Sequence, residues 1–183
     1  MSERKESKDS TTTEDDLPFR KIDFKGKEFK VVKEIGRGGF GRVFSIKTEQ
    51  GEELAVKVVN PLRQSRQEYD VWPNLKHRNI LPVLRATIKD NYIVFIMPKY
   101  KCTLEKMIRN SSFRSDPTSF NVIKEWLQHI ASGLKYLHDN DLCHLDLKQN
   151  NVMISSRFRA VISDFGLMNT TREPIRRWAT NLS

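Results

Sequence analysis

Apolar residues along this chain change period once. Between residues 29 and 97 they come in short runs and alternations of strand length. After Tyr100 they recur at helical spacing. Phe29-Lys30-Val31-Val32-Lys33-Glu34-Ile35 leads into a glycine cluster, and Val43-Phe44-Ser45-Ile46-Lys47 follows it. Leu54-Ala55-Val56-Lys57-Val58-Val59 comes after a turn at Gln50-Gly51-Glu52. Such runs, rich in β-branched and aromatic residues and separated by turn residues, predict a three-strand antiparallel meander. Residues 63–72 suit one short helix ended by Pro73, whose ring cannot continue a helix. Two more strands are predicted at 83–88 and 92–97, joined at Asp90-Asn91. A short helix follows at 104–108. A long one at 121–138 places Ile123, Trp126, Leu127, Ile130, Leu134 and Leu137 along one face. Two short strands, 152–155 and 160–163, complete the pattern. The fold class is α+β: a five-stranded half with one helix, then a mainly helical half.

Composition narrows the classes. The 183 residues are 38% hydrophobic and 30% charged, an ordinary soluble composition, with a formal net charge of +9. Residues 1–16 hold six acids and three bases, a net −3, so the remainder carries +12. That acid-rich stretch has only Met1 as an apolar residue and is expected to be a disordered tail. A basic remainder can attract nucleic acid. No aromatic-interleaved basic stripe accompanies the charge, so no nucleic-acid partner is expected. Cys102 and Cys143 lack zinc or disulfide spacing and read as reduced thiols. No signal core and no run of membrane-span length is present, which points to the cytoplasm or nucleus and to no membrane partner. Oligomeric state is not legible.

Candidate chemistry sits between these elements. Gly36, Gly38 and Gly41 fit G-x-G-x-x-G, a spacing shared with dinucleotide-binding folds, in which a helix follows directly. Here strands follow, so the glycines form a hairpin that brings backbone amides to phosphate oxygens. Lys57 lies inside an apolar strand, where an ammonium needs a partner, and Glu68 on the next helix offers one. Asp146, Lys148 and Asn151 place a carboxylate, a cation and an amide in one short loop. Asp164 follows the apolar pair Val161-Ile162.

Five segments in this order resemble the protein kinase family. They are Gly36-Arg37-Gly38-Gly39-Phe40-Gly41-Arg42-Val43, Ala55-Val56-Lys57, Glu68, His144-Leu145-Asp146-Leu147-Lys148-Gln149-Asn150-Asn151, and Asp164-Phe165-Gly166. The resemblance implies a bilobal fold, with a tail at 1–16, a complete five-stranded N-lobe at 17–100 and an incomplete C-lobe at 101–183. It implies ATP and Mg²⁺ as cofactors and a protein substrate as partner. Ile35, Gly36, Arg37, Gly38, Gly39, Phe40, Gly41 and Val43 would cover the nucleotide. Val43, Ala55 and Met153 would sandwich the adenine, with Met97 as gatekeeper before a hinge at 98–100. Lys57 would hold the α- and β-phosphates, oriented by Glu68. Asp146 would take the proton of the substrate hydroxyl and Lys148 would neutralise the γ-phosphate, a lysine placement similar to the serine/threonine class. Asn151 and Asp164 would bind Mg²⁺. Phe165 would stack with His144 and Trp72, leaving His144 structural.

The resemblance also has departures. Leu145 stands where the family carries an arginine that grips a phosphorylated activation loop, so that control is expected to be missing. Pro73 ends the first helix early. Residues 173–178 look like activation-segment sequence with no A-P-E after them, and Thr170, Thr171 and Thr180 are candidate phosphosites. A helix at 121–138 without its covering layer is expected to expose a large apolar patch and leave the polypeptide marginally stable. Two alternatives stand beside a transferase: a kinase-like module that binds nucleotide or a partner without transfer, and a basic nucleic-acid binder.

Overall fold

The computed structural model describes residues 19–39, 41–61 and 66–170. The N-terminal tail, Phe40, the start of the helix predicted at 63–72, and Thr171, Thr180 and 173–178 lie outside the described residues. No helix among the described residues is long and apolar enough to cross a membrane.

The principal sheet has six antiparallel strands where the hydrophobic pattern predicts five. They are β1 Lys21–Phe24, β2 Lys27–Gly38, β3 Gly41–Lys47, β4 Glu53–Val59, β5 Arg85–Lys89 and β6 Tyr92–Pro98, in the order β1-β2-β3-β4-β6-β5. The additional strand is β1. Its four residues alternate exposed and buried, too short a run to stand out against the lysines around it. It turns into β2 at Lys25-Gly26, both at positive φ.

That strand explains how both faces of the sheet are covered. On one face Phe29, Phe44, Val56, Val58 and Ile96 pack under Phe19, Ile22 and Phe24 from the N-terminal arm. On the other, Ala55, Val59, Phe95 and Met97 pack with Trp72, Leu75 and Leu81 and with Leu137 and Phe165 from the helical half. β4 is therefore buried on both faces, apart from its first residue. Lys57 shares the period-2 phase of Ala55 and Val59, so it points toward the helical half.

The described part of the first helix, α1, is Arg66–Val71, and a 3₁₀ turn at Trp72–Asn74 carries Pro73. Then come α2 Leu104–Ile108, α3 Ser111–Ser115 and α4 Ser119–Asp139. Strands β7 Cys102–Thr103, β9 Val152–Ile154 and β10 Ala160–Ile162 form a second sheet, and β8 Leu142–Cys143 pairs with β11 Asn169–Thr170. The halves are stitched by backbone bonds, Leu81 N to Ile162 O at 2.8 Å and Ile162 N to Asn79 O at 2.9 Å. Helix α4 passes so close to this seam that a Cβ at Gly133 would lie 2.9 Å from Asn79 O.

The apolar stripe of α4 is split. Trp126 and Leu137 are buried, with Ile130 and Leu134 packed partly against the core. Leu127 and Phe120 remain 62% and 77% exposed, and Ile123 is also exposed. The stripe is about 120° wide at about 100° per residue, and only one side of it meets the sheets.

Candidate active site

The site lies in a cleft of about 510 Å³ between the principal sheet and the loops after α4. Ile35, Gly36, Arg37, Gly38, Gly39, Gly41 and Val43 line it from the hairpin, and Ala55, Lys57 and Met97 line it from β4 and β6. Asp146, Lys148, Asn151, Met153 and Asp164 line the opposite wall. Of the remaining two sequence candidates, Glu68 stands behind Lys57 rather than on the surface of the cleft, and Phe40 lies outside the described residues. Leu81, Thr103, Asn150 and Ser163 also line the cleft. Asn150 belongs to the loop segment that carries Asp146; no motif marks the other three, which arrive through the stitching of the two halves.

The hairpin is shaped by one glycine and one carboxylate. Gly41 has φ +137°, and a Cβ there would be driven against Val58 O of the neighbouring strand. Gly41→Ala is therefore expected to cost about 2–3 kcal/mol of stability, read by urea denaturation, because the conformation and the space both exclude it. Arg37 and Arg42 face each other across the hairpin, like charges that would repel. Glu34 joins them, accepting from Arg37 Nε at 2.7 Å and from Arg42 Nε at 2.9 Å. The Arg37 bond, which outweighs partial burial and is reinforced by Arg42, holds the Glu34 carboxyl at about 2.

Lys57 is the centre of the polar network. Its ammonium donates to Glu68 Oε1 at 2.7 Å and to Asp164 Oδ1 at 2.8 Å. Burial by itself pulls the ammonium down, but the charges and bonds of Glu68 and Asp164 reverse this and hold it above the usual lysine value. Glu68 is wholly buried, whereas the Asp164 side chain keeps 30% exposure toward the cleft. Asp164 adopts φ +62°, a left-handed conformation that aspartate tolerates better than most residues.

The loop after β8 folds around Asp146. Asn151 donates its amide to Asp146 O and to Asp146 Oδ2, both at 2.8 Å, and Lys148 donates to Asp146 Oδ2 at 2.8 Å. That bond, with the Asp146 charge, raises the Lys148 ammonium above its usual value. Both bonds of Asn151 use its nitrogen, which turns its carbonyl oxygen into the atom available to a cation. His144 donates from Nε2 to Ser163 O at 2.9 Å and accepts at Nδ1 from Asp146 N at 3.3 Å. It is therefore a neutral imidazole that props the loop. Phe165 is fully buried, with its ring 5.4 Å from Trp72 and 5.3 Å from His144. Leu145 is half exposed at φ +60°.

Burial lowers the pKa of His144, and likewise of His77 and His129, from the ordinary 6.5. For a depressed histidine the unfolded chain binds protons first, so the contribution is intact above 6.5 and is lost as pH falls below it. Melting temperature is expected to hold above pH 6.5 and to decline between that value and pH 5. The Glu34 contribution should be lost only below its ordinary 4.5. A melting temperature unchanged from pH 7.5 to 5 would contradict this reading of the histidines.

Among the described residues no group of three or more His, Cys, Asp or Glu side chains converges on one point. The cleft instead offers the Asp164 carboxylate and the Asn151 amide oxygen, a hard donor set of the kind that shares Mg²⁺ with phosphate oxygens.

Comparison with known proteins agrees with this geometry. Residues 29–181 match the family described as "Protein kinase domain". The chain belongs to that family. It is 28% identical over 145 residues to the probable serine/threonine-protein kinase glkA of Dictyostelium discoideum, covering 75% of this chain and 29% of that protein. It is 31% identical over 156 residues to mitogen-activated protein kinase 7 of Arabidopsis thaliana, covering 77% and 41% respectively. Against serine/threonine-protein kinase PLK4 of Xenopus tropicalis it is 28% identical over 156 residues, 80% of this chain and 16% of that one. The chain thus spans less than half the length of these relatives.

Proposed function

We propose that the chain is the nucleotide-binding and catalytic part of a bilobal serine/threonine protein kinase, moving the γ-phosphoryl group of ATP to a Ser or Thr hydroxyl of a protein. The observation that carries this reading is the single ammonium of Lys57 shared between Glu68 and Asp164, in one cleft with Asp146. A buried cation held by a carboxylate of the neighbouring helix, with a second carboxylate facing the cleft, is an arrangement for binding polyphosphate.

In this reading the adenine lies between Val43 and Ala55 above and Met153 below, with Met97 at the back. The hairpin amides cover the phosphates, and Lys57 holds the α- and β-phosphates. Asn151 and Asp164 would hold Mg²⁺, which would neutralise phosphate charge. The substrate hydroxyl lies against Asp146. Its oxygen bonds to the γ-phosphorus as the bond from that phosphorus to the β–γ bridging oxygen breaks. The hydroxyl proton passes to the Asp146 carboxylate, and ADP leaves with the bridging oxygen. Lys148 sits on Asp146 Oδ2 and so stands beside the charge that grows on the transferred group.

Purified chain incubated with γ-labelled ATP, Mg²⁺ and a Ser/Thr peptide should place label on the peptide hydroxyl, and removal of Mg²⁺ by a chelator should stop it. Nucleotide binding without any transfer would favour a non-catalytic binding module.

A further inference from the structure

The turn between β9 and β10 shows an expensive feature that the cleft does not use. Phe158 sits there at φ +57° and is 45% exposed. A bulky side chain in the left-handed region is uncommon, and glycine or asparagine would fill such a turn with less strain. The conformation is fixed by Trp126, whose indole Nε1 donates to Phe158 O at 2.8 Å. The aromatic ring is thus held at the surface by a buried anchor.

Three cations accompany that ring, and none has an ion-pair partner among the described residues. Lys101 lies over the Phe158 ring, its ammonium 5.0 Å from the centroid. Arg157 and Arg159 flank Phe158 in the turn, and all three cations are exposed. The sheet differs. There Lys30 meets Glu49 at 3.0 Å, Lys99 meets Glu53 at 2.7 Å and Lys21 meets Glu28 at 3.0 Å. Those sheet lysines are paired, whereas the cations beside Phe158 have no ion pair among the described residues. The edge of this surface reaches the cleft, since Lys101 lies between the lining residues Tyr100 and Thr103.

We propose that Phe158 with Lys101, Arg157 and Arg159 forms a docking surface for a carboxylate-rich segment of the protein that the cleft phosphorylates. This deepens the kinase reading and rests on it for the partner being a protein. Charge complementarity selects the acidic segment. One face of the ring is already taken by Lys101, which suits an apolar contact beside carboxylates better than the stacking of a nucleic-acid base.

The test uses the whole chain and a labelled peptide of glutamates around one leucine, with labelled oligothymidine as comparator, followed by fluorescence anisotropy. The wild-type chain should bind the peptide in a salt-sensitive way. Arg157→Glu with Arg159→Glu should weaken that binding by about tenfold or more. Phe158→Gly, which keeps every charge and relieves the turn, should weaken it several-fold. Affinity for an ATP analogue should stay unchanged in both variants, because none of these residues lines the cleft. Absent peptide binding, peptide affinity indifferent to the variants, or tighter variant-sensitive binding of oligothymidine would each overturn the proposal. Transfer without peptide binding removes only the docking surface; peptide binding without transfer removes only the kinase reading.

Discussion

Lys57→Met is expected to abolish phosphate transfer and to destabilise the chain by about 3–5 kcal/mol, the range for removing one partner of a buried ion pair. The cost falls on Glu68, which is wholly buried and loses the ammonium at 2.7 Å. Against a typical domain stability of about 5–15 kcal/mol this is a large loss. Inactivity of the single variant would therefore have two explanations, a missing phosphate ligand or a damaged fold. Adding Glu68→Leu separates them. An apolar pair of similar volume needs no charge compensation, so the double variant should regain most of the stability in urea denaturation. Transfer should not return with it. If the double variant is no more stable than the single one, the ion pair is not what Lys57 contributes to the fold.

Asp146→Asn carries the second large effect. A general base in phosphate transfer contributes about 10²–10⁴-fold, so the rate should fall by that factor. The substitution keeps volume and hydrogen-bonding reach, but removes the acceptor charge. Asp146 Oδ2 is the meeting point of Asn151 and Lys148, and an inverted amide there would set donor against donor. The loop should tolerate this because Asp146 is partly exposed and His144 supports the loop independently through Ser163 O. Affinity for nucleotide, measured by thermal shift with Mg²⁺, should change little, since Lys57 and the hairpin are untouched. A parallel fall of affinity and rate would mean that Asp146 binds rather than transfers.

The contrast between these two variants follows from how the site was legible. A lysine between two valines must be paired, and the nearest carboxylate on a short helix is Glu68; sequence alone reaches that far. Asp146, Lys148 and Asn151 are close because a short loop cannot separate them. The bond between Asp164 and Lys57 needed the fold, because it spans a sequence separation of 107 residues. The carboxylate of Glu34 was not visible as a partner of Arg37 and Arg42, because it depends on the hairpin register that sets those arginines opposite one another.

In the fold, the meander was readable from alternation, and Pro73 correctly marks where regular helix gives out. β1 was missed because four residues among lysines give too little period-2 signal. Its apolar members matter only once the outer face of the sheet exists to be covered. Helix α4 was placed within two residues at its start and one at its end. Its face was read too simply, since Leu127 and Ile123 share the stripe with Trp126 but not its contacts. Periodicity reports which residues can share a face, while the depth of the groove they meet decides which are buried.

The most direct test of the account is a crystal structure of the chain with Mg²⁺ and a non-hydrolysable ATP analogue. The account predicts the α- and β-phosphates against Lys57, a metal shared by Asp164 and Asn151, and the terminal phosphorus facing Asp146 and Lys148. Nucleotide bound elsewhere, or bound in the cleft with its phosphates directed away from these groups, would contradict it.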